Sequence, residues 1–309
     1  MDLDSHSASR ARRHGRALVL LLAASLGCES TDRISPTAPE SGLSAAKAPV
    51  SGGTAGIPFG AFAQPLSLYG SIYTGGHLNP EKPESLLSKL ATIRAAKARV
   101  ILALAGGPGN YTDPGGSFNF DEWKQRQDRY AGVDFSSYIA DGTVIGNFLI
   151  DQPNCPSCWG GQVIPQATVE AMAEYSKSLW PDMKTIARAD PTWLDDFPDP
   201  YIYLDAGWAQ YVMRKGDVNT YLSDNVQASQ SKGLGLIVGL NLLNGGPNQE
   251  SLTANQVKDF GSVLLGSSLA CAFVSWRYDA AYYSRTDIKS ALELLSKKAK
   301  RHAATACTQ

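Results

Sequence analysis

The 309-residue sequence predicts a parallel α/β fold, and three observations lead to that prediction. Short runs rich in β-branched and aromatic residues alternate along the chain with segments whose apolar residues recur at helical spacing. Several of these runs are almost continuously apolar, as in strands buried on both faces of a parallel sheet. Polar residues follow the runs at their carboxyl ends, where α/β barrels carry their chemistry. The length of the chain, the alternation of strands and helices, and the polar residues at the strand ends together favour a (β/α)8 barrel of the TIM type.

Seven strands can be assigned from the sequence. They cover residues 57–63, 99–105, 144–151, 183–189, 201–205, 234–241 and 271–279, and the fifth runs on into Gly207, Trp208 and Gln210. An eighth strand is either hidden in an aromatic loop or absent. The sequence therefore allows a distorted barrel.

Helical spacing of apolar residues predicts the segments between the strands. A helix opens at Pro83, whose fixed φ suits a first helical turn, and further helices cover residues 121–140 (interrupted at Gly132), 168–179, 218–232 and 286–300. Thr253 is expected to cap a helix that continues to Leu265.

The first 55 residues are predicted to serve export, with a signal peptide at 1–27 and a flexible tether at 28–55. Four arginines precede about ten apolar residues at 17–26, which are too few to span a bilayer. Residues 25–28, S-L-G-C, resemble a bacterial lipobox, which implies lipidation of Cys28; the alternative is simple cleavage and secretion. The tether is rich in Ser, Thr, Ala, Pro and Gly. We expect a cell-envelope lipoprotein, periplasmic or on the outer surface, whose barrel domain covers residues 56–309.

Apart from Cys28, the sequence contains four cysteines, an even number for an oxidising compartment. We expect two disulfides, Cys155–Cys158 and Cys271–Cys307. The C-x-x-C pair could instead be redox-active or half of a zinc site, but there is no second C-x-x-C and the chain has only four histidines. No metal and no cofactor is predicted.

Composition limits the partners that can be expected. Hydrophobic residues make up 43% and charged residues 18%, which argues against general disorder. A formal net charge of -1 gives no reason to expect nucleic acid or an anionic membrane surface as a partner. We expect membrane contact only through the lipid anchor, and a monomer, although no sequence feature decides the oligomeric state.

The stretch V-I-G-N-F-L-I-D-Q-P-N at 144–154 is the centre of the predicted site. Asp151 is expected on the last position of a buried strand, and Pro153, which has no N–H, ends the strand. Together with Asp151, Asp279 and Asp205 are the candidate catalytic acids, because each ends a different predicted strand.

Candidate substrate-binding residues lie at the predicted strand ends or in the loops that follow. They are Gln152, Asn154, Arg188, Asp190, Trp208, Gln210, Asn241, Trp276, Arg277, Tyr278, Trp159 and Tyr73. Aromatic faces stack on the C–H surfaces of sugars, and amides and acids bind hydroxyl groups, so this set predicts a carbohydrate cleft.

Each candidate also has a structural interpretation. Asp151 could cap the following turn or pair with Arg188, and Asp279 could pair with Arg277 or Arg285. The tryptophans could simply pack.

The segments F-L-I-D-Q-P-N (148–154) and S-W-R-Y-D (275–279) resemble strand ends of TIM-barrel glycoside hydrolases. In the large retaining clan of those enzymes one strand ends Asn-Glu-Pro, the glutamate being the acid/base, and a later strand supplies the nucleophile. Here Asp151 stands at the asparagine position and Gln152 at the glutamate position, and a glutamine cannot exchange protons near neutral pH. If the protein is a hydrolase, the resemblance implies Asp151 as acid or base, with Asp279 or Asp205 as its partner.

Three hypotheses follow. The first is an extracytoplasmic glycoside hydrolase that cuts a polysaccharide or oligosaccharide with paired carboxylates. The second is a non-catalytic glycan-binding lipoprotein that kept the barrel and lost the glutamate. The third is a barrel enzyme of another class, such as a lyase or an esterase. The sequence lacks G-x-S-x-G and has few histidines, which argues against an esterase.

Overall fold

A computed structural model describes residues 56–80, 82–303 and 306–307 of the chain. Its centre is a sheet of eight parallel strands: β1 (Phe59–Ala61), β2 (Gly75–Leu78), β3 (Arg99–Leu102), β4 (Val144–Asp151), β5 (Thr185–Arg188), β6 (Ala206–Tyr211), β7 (Gly235–Leu240) and β8 (Ala270–Ser275). Neighbours in sequence are neighbours in the sheet, and β8 pairs with β1. A single parallel bridge between Phe62 and His77 joins β1 to β2. The result is a nearly closed (β/α)8 TIM barrel, as predicted.

Helices follow the strands and cover the outside of the barrel. They are α1 (Pro83–Ala95), α2 (Phe120–Asp128), α3 (Ser136–Ala140), α4 (Gln166–Leu179), α5 (Pro191–Asp195), α6 (Val218–Lys232), α7 (Ala254–Leu264), α8 (Ala280–Tyr283) and α9 (Thr286–Arg301). Side-chain caps fix several of their first turns. The Thr253 hydroxyl accepts from the Gln256 N–H in a complete capping box, and Asp217 accepts from the backbone of Asn219 and Thr220.

The barrel interior is filled with apolar and aromatic side chains. Ile101, Ile186 and Ile237 belong to one buried cluster with Phe148 and Trp208. The Cys271–Cys307 disulfide joins the same cluster from the amino-terminal side of β8. Because the interior is packed, a ligand has access only at the ends of the strands.

The eighth strand, which the sequence left open, is β2 in the loop that contains Tyr69, Tyr73 and His77. Two predicted elements need correction. The predicted strand at 201–205 is wrong, because β6 begins only at Ala206; the backbone N–H groups of residues 202–204 instead donate to the Glu170 carboxylate at 2.7, 2.8 and 3.0 Å. The predicted helix at 121–140 is two helices, α2 and α3.

Both expected disulfides are present. The predicted signal peptide, tether and lipidation site at Cys28 lie outside the described residues. Within the described ranges, every helix is too short or too polar to cross a bilayer.

Candidate functional site

A pocket of about 180 Å³ opens at the carboxyl ends of β4 to β7 and is called the mouth pocket below. Seven predicted binding residues line it: Gln152, Asn154, Arg188, Asp190, Trp208, Gln210 and Asn241. They meet there because parallel strands in a barrel end on the same face. Trp208 and Gln210 are two positions apart on β6, so both side chains point inward. A larger cavity at the opposite end of the barrel, near Arg99 and Lys184, contains none of the predicted binding residues.

A buried Arg188 and a partly buried Asp151 form an ion pair beside the mouth pocket. The two residues are direct partners in the β4–β5 register. The Arg188 guanidinium also lies 4.6 Å from the Trp276 ring centroid and 5.6 Å from that of Phe62, which adds cation–π attraction. Burial raises the pKa of the Asp151 carboxyl, and the Arg188 charge opposes part of that rise. The aspartate is therefore held by a protein partner, one of the alternatives left open by the sequence.

Asp190 is engaged in a second polar network. Its carboxylate pairs with Lys215 and accepts a 2.7 Å hydrogen bond from the Tyr221 hydroxyl. The Lys215 ammonium also donates to the Gln210 carbonyl at 3.0 Å. Burial and the nearby Asp190 charge raise the pKa of Tyr221, so the phenol remains protonated and can donate.

Some buried polar atoms of the mouth pocket have no hydrogen-bond partner among the described residues. They are Nε of Arg188, the indole N–H of Trp208, and both amide atoms of Gln210. All three side chains are buried. An unpaired buried polar group costs about 1–3 kcal/mol, so a polar ligand that paired with these atoms would gain that free energy. Trp208 is 0% exposed, so a ligand reaches its indole N–H only if the pocket lining moves. Asn241 differs, because its side-chain oxygen accepts from the Asn244 N–H at 3.0 Å.

The loop after β4 holds Gln152 at the pocket edge. Gln152 has a φ of 47°, a left-handed conformation that is uncommon for a residue with a side chain. Its N–H donates to the Arg188 carbonyl at 2.9 Å, and its carbonyl accepts from the Trp159 indole at 2.9 Å. These bonds fix the backbone and leave the Gln152 amide exposed.

His77 is buried inside the barrel, close enough to Arg188 to feel its charge. Its ring stacks on Phe62, with centroids 4.0 Å apart, and meets Phe148 edge-on at 5.0 Å. Burial, assisted by the Arg188 charge, lowers the pKa of His77 to about 3. The imidazole is therefore neutral at physiological pH.

The segment after β8 contributes a rim rather than pocket lining. Asp279 caps α8 by accepting from the Tyr282 N–H at 2.8 Å. The Tyr278 ring packs on Tyr283 at 4.9 Å, and Arg277 is exposed. Asp279 therefore performs a structural role, and the ion pairs with Arg277 or Arg285 that the sequence allowed are not formed.

Three predicted site residues lie elsewhere. Asp205 precedes β6, at the opposite end of the barrel, where it pairs with Lys177 at 2.7 Å. The prediction was wrong because it placed the fifth strand before Asp205 instead of after it. Tyr73 precedes β2 and stacks on Phe59 in the layer between sheet and helices. Trp159 is only 1% exposed and packs against Tyr111, so it offers no open sugar platform.

Sequence reasoning missed two cations of the mouth pocket, Arg214 and Lys215, and the phenol of Tyr221. The two cations lie in the short 3-10 turn Met213–Lys215 that follows β6. A signal existed, since R-K-G-D at 214–217 follows the strand that carries Gln210. Within the described ranges, no group of His, Cys, Asp and Glu could hold a metal ion.

No protein-family model matches the sequence, and no curated protein matches it. Several solved structures of glycoside hydrolases are similar to this chain. A cellulase from a cellulase–inhibitor complex superposes with a TM-score of 0.53 at 10% identity, covering 78% of this chain and 92% of the cellulase. A psychrophilic family 10 endo-β-1,4-xylanase gives 0.49 at 13% identity, covering 77% and 96%. Xylanase 10B of Thermotoga petrophila gives 0.49 at 10% identity, covering 80% and 95%. The cellulase likeness establishes a shared fold; at this identity it says nothing further about activity.

Proposed function

We propose that this protein binds carbohydrate at the mouth pocket without cleaving it, as an exported and lipid-anchored protein. The observation that carries the proposal is the set of buried hydrogen-bonding atoms in the pocket that lack a protein partner: those of Arg188, Trp208 and Gln210. A sugar unit brings several hydroxyl groups, each of which can donate and accept. Such a ligand could pair these atoms, whereas an apolar ligand would leave them unpaired.

The state of the carboxylates favours binding over hydrolysis. Most glycoside hydrolases use two carboxyl groups, one on either side of the glycosidic bond. Asp151 and Asp190 are each paired with a cation, Asp279 caps a helix, and Asp205 lies at the other end of the barrel. At the strand ends that face the pocket, Gln152 and Asn241 carry amides instead of acids.

The size of the pocket suits a small ligand unit. Its volume of about 180 Å³ lies below the roughly 300 Å³ at which drug-sized ligand sites begin. We therefore expect one sugar residue to enter, as the end or a side branch of a longer chain.

The binding proposal can be tested at Gln210, whose amide is buried and unpaired. Gln210→Met keeps nearly the same side-chain length and removes both polar atoms. We expect glycan affinity to fall at least tenfold, the equivalent of about 1.4 kcal/mol, while the free energy of unfolding stays equal or rises by about 1 kcal/mol. Glycan-array screening followed by calorimetric titration measures the first quantity, and urea unfolding the second.

Gln127→Met is the matched control. Gln127 is equally buried, but its side-chain oxygen accepts from Asn147 at 3.0 Å, so the same substitution should destabilise the protein and leave binding intact. Should no glycan bind the wild type, or should Gln210→Met bind as tightly as wild type, the proposal would be rejected.

Hydrolysis of a polysaccharide or oligosaccharide is the second candidate function, and the environment of Asp151 favours it. Burial raises the pKa of this carboxyl, which is how proteins prepare a general acid. Product analysis on a glycan panel, with Asp151→Asn and the helix-cap variant Asp279→Asn as comparison, tests this role. Turnover by the wild type that only Asp151→Asn abolishes, with folding preserved, would establish hydrolysis in place of simple binding.

The cellular location is part of the proposal. If Cys28 is lipidated, the protein should partition into detergent after extraction of cell envelopes. Cys28→Ser should then move it to the aqueous fraction. Recovery of both forms in the aqueous fraction would indicate secretion without an anchor.

A further inference from the structure

We infer that the sugar unit bound in the mouth pocket is acidic, a uronate whose carboxylate pairs with Arg214. This inference rests on the proposed function and names the class of carbohydrate. It is based on the charges and the hydrogen-bonding groups of the mouth pocket that have no partner within the described part of the protein.

The charges lining the pocket are mostly positive. Four charged residues line it: Arg188, Asp190, Arg214 and Lys215. The Asp151 carboxylate neutralises Arg188, and Asp190 neutralises Lys215. Arg214 is exposed and makes no ion pair within the described residues. One positive charge therefore remains at the pocket for a ligand.

Among the unpaired hydrogen-bonding atoms of the pocket, donors outnumber acceptors. Three groups donate: Nε of Arg188, the indole N–H of Trp208 and the amide nitrogen of Gln210. The amide oxygen of Gln210 alone accepts. A carboxylate offers only acceptor sites, up to about four, so it matches a donor-rich pocket better than a hydroxyl group does.

Arginine is well suited to this task. Its planar guanidinium binds a carboxylate through two parallel hydrogen bonds, and such charge-assisted bonds are stronger than neutral ones. Arg214 stands in the short turn directly after β6, the strand that carries Trp208 and Gln210. The carboxylate of a uronate can thus pair with Arg214 and use its remaining lone pairs to accept hydrogen bonds from the buried donors.

The experiment compares acidic and neutral sugars of the same backbone. Trimers of galacturonate, mannuronate and guluronate are titrated into the purified full-length protein, alongside their methyl esters, which keep the ring and remove the charge. We expect at least one uronate to bind and its ester to bind at least tenfold more weakly. Raising salt from about 0.05 M to about 0.5 M should weaken uronate binding, because exposed charges are screened.

Arg214→Gln should lower uronate affinity by about tenfold, the loss expected for a hydrogen bond to a charged group. Arg301→Gln, an exposed arginine in the last turn of α9 at the other end of the barrel, is the matched control and should bind like wild type. Equal binding of uronate and ester, or unchanged uronate affinity in Arg214→Gln, would overturn the inference. Binding of neutral sugars alone would overturn it and leave the proposed function standing, whereas a failure of every sugar to bind would overturn both.

Discussion

His77, inside the barrel, shows how the protonation of a single residue follows from its burial. His77 has both ring nitrogens without a partner among the described residues, and it lies between aromatic rings near the Arg188 guanidinium. Neither burial nor a neighbouring cation favours the imidazolium form. The sequence could show that a histidine stands in the aromatic loop, but not that β2 turns it into the interior.

His77 should make the stability of the protein depend on pH. Its pKa is about 3 in the folded protein and about 6.5 in the unfolded chain, so the unfolded chain binds the extra proton between these values. The free energy of unfolding therefore falls as the pH drops from 6.5 towards 3. We expect this residue to account for a loss of roughly 2 kcal/mol between about pH 7 and about pH 5.

Urea unfolding at both pH values, for wild type and His77→Leu, measures this loss, which should be absent from the variant. Phe62→Leu disturbs the same ring stack and keeps the imidazole, so it should retain the wild-type pH dependence. An identical pH dependence in wild type and His77→Leu would contradict the assignment.

The residues of the mouth pocket were partly accessible from the sequence. Seven of them were predicted because each follows an apolar run, and parallel strands bring such positions together. Asp205 was misplaced because Y-I-Y-L-D at 201–205 has the composition of a strand. In the structure the backbone N–H groups of residues 202–204 instead donate to the Glu170 carboxylate. Pairings such as Asp190 with Lys215 depend on side-chain positions that no local pattern encodes.

Among the elements, β2 shows why seven strands could be predicted and one could not. Its sequence is G-G-H-L, and glycine is depleted in strands. Both strands need glycine where β1 and β2 approach. A Cβ atom on Gly75 of β2 would lie 2.4 Å from the Pro58 Cβ, and one on Gly60 of β1 would lie 1.8 Å from the Gly75 carbonyl oxygen. Because β2 has glycines at this close approach, it lacks the β-branched and aromatic residues by which a strand is recognised in a sequence.

Gly60→Ala should therefore destabilise the barrel by at least about 2 kcal/mol, because the backbone atom that the methyl group meets cannot move aside like a side chain. Gly107→Ala is the matched control. A Cβ atom there meets no other atom within 4 Å, and its φ of -84° suits any residue. The control should be neutral or gain about 0.4–1 kcal/mol. Thermal and urea unfolding of both variants give the comparison, and equal stabilities would refute the close-approach argument.

At the scale of the whole molecule, the two ends of the barrel have different roles: one forms the candidate site and the other contains a stabilising disulfide. The mouth gathers the unpaired polar groups of the candidate site. The Cys271–Cys307 disulfide joins the interior cluster from the other end and ties the end of the chain to β8. Both disulfides were predicted from the even number of cysteines and the expectation of export. The barrel itself was predicted from the alternation of strands and helices.

This separation predicts that the Cys271–Cys307 disulfide governs stability and not binding. It links residues 36 positions apart, whereas Cys155–Cys158 spans only three. A longer loop loses more conformational entropy in the unfolded chain when it is closed. Loss of the 271–307 bond should therefore cost about 3–4 kcal/mol, and loss of the 155–158 bond roughly 1–2 kcal/mol.

The Cys155→Ser/Cys158→Ser variant leaves a single disulfide among the described residues, so reducing it with dithiothreitol isolates the contribution of the Cys271–Cys307 bond. Urea unfolding before and after reduction measures that contribution, and sugar titration under conditions where the reduced protein remains folded measures its effect on the site. A change in unfolding free energy below about 1 kcal/mol would contradict the entropic argument. Weaker sugar binding by the folded, reduced protein would show instead that the two ends of the barrel are coupled. Breaking a distant disulfide can lower affinity only if it changes the conformation that binds the sugar.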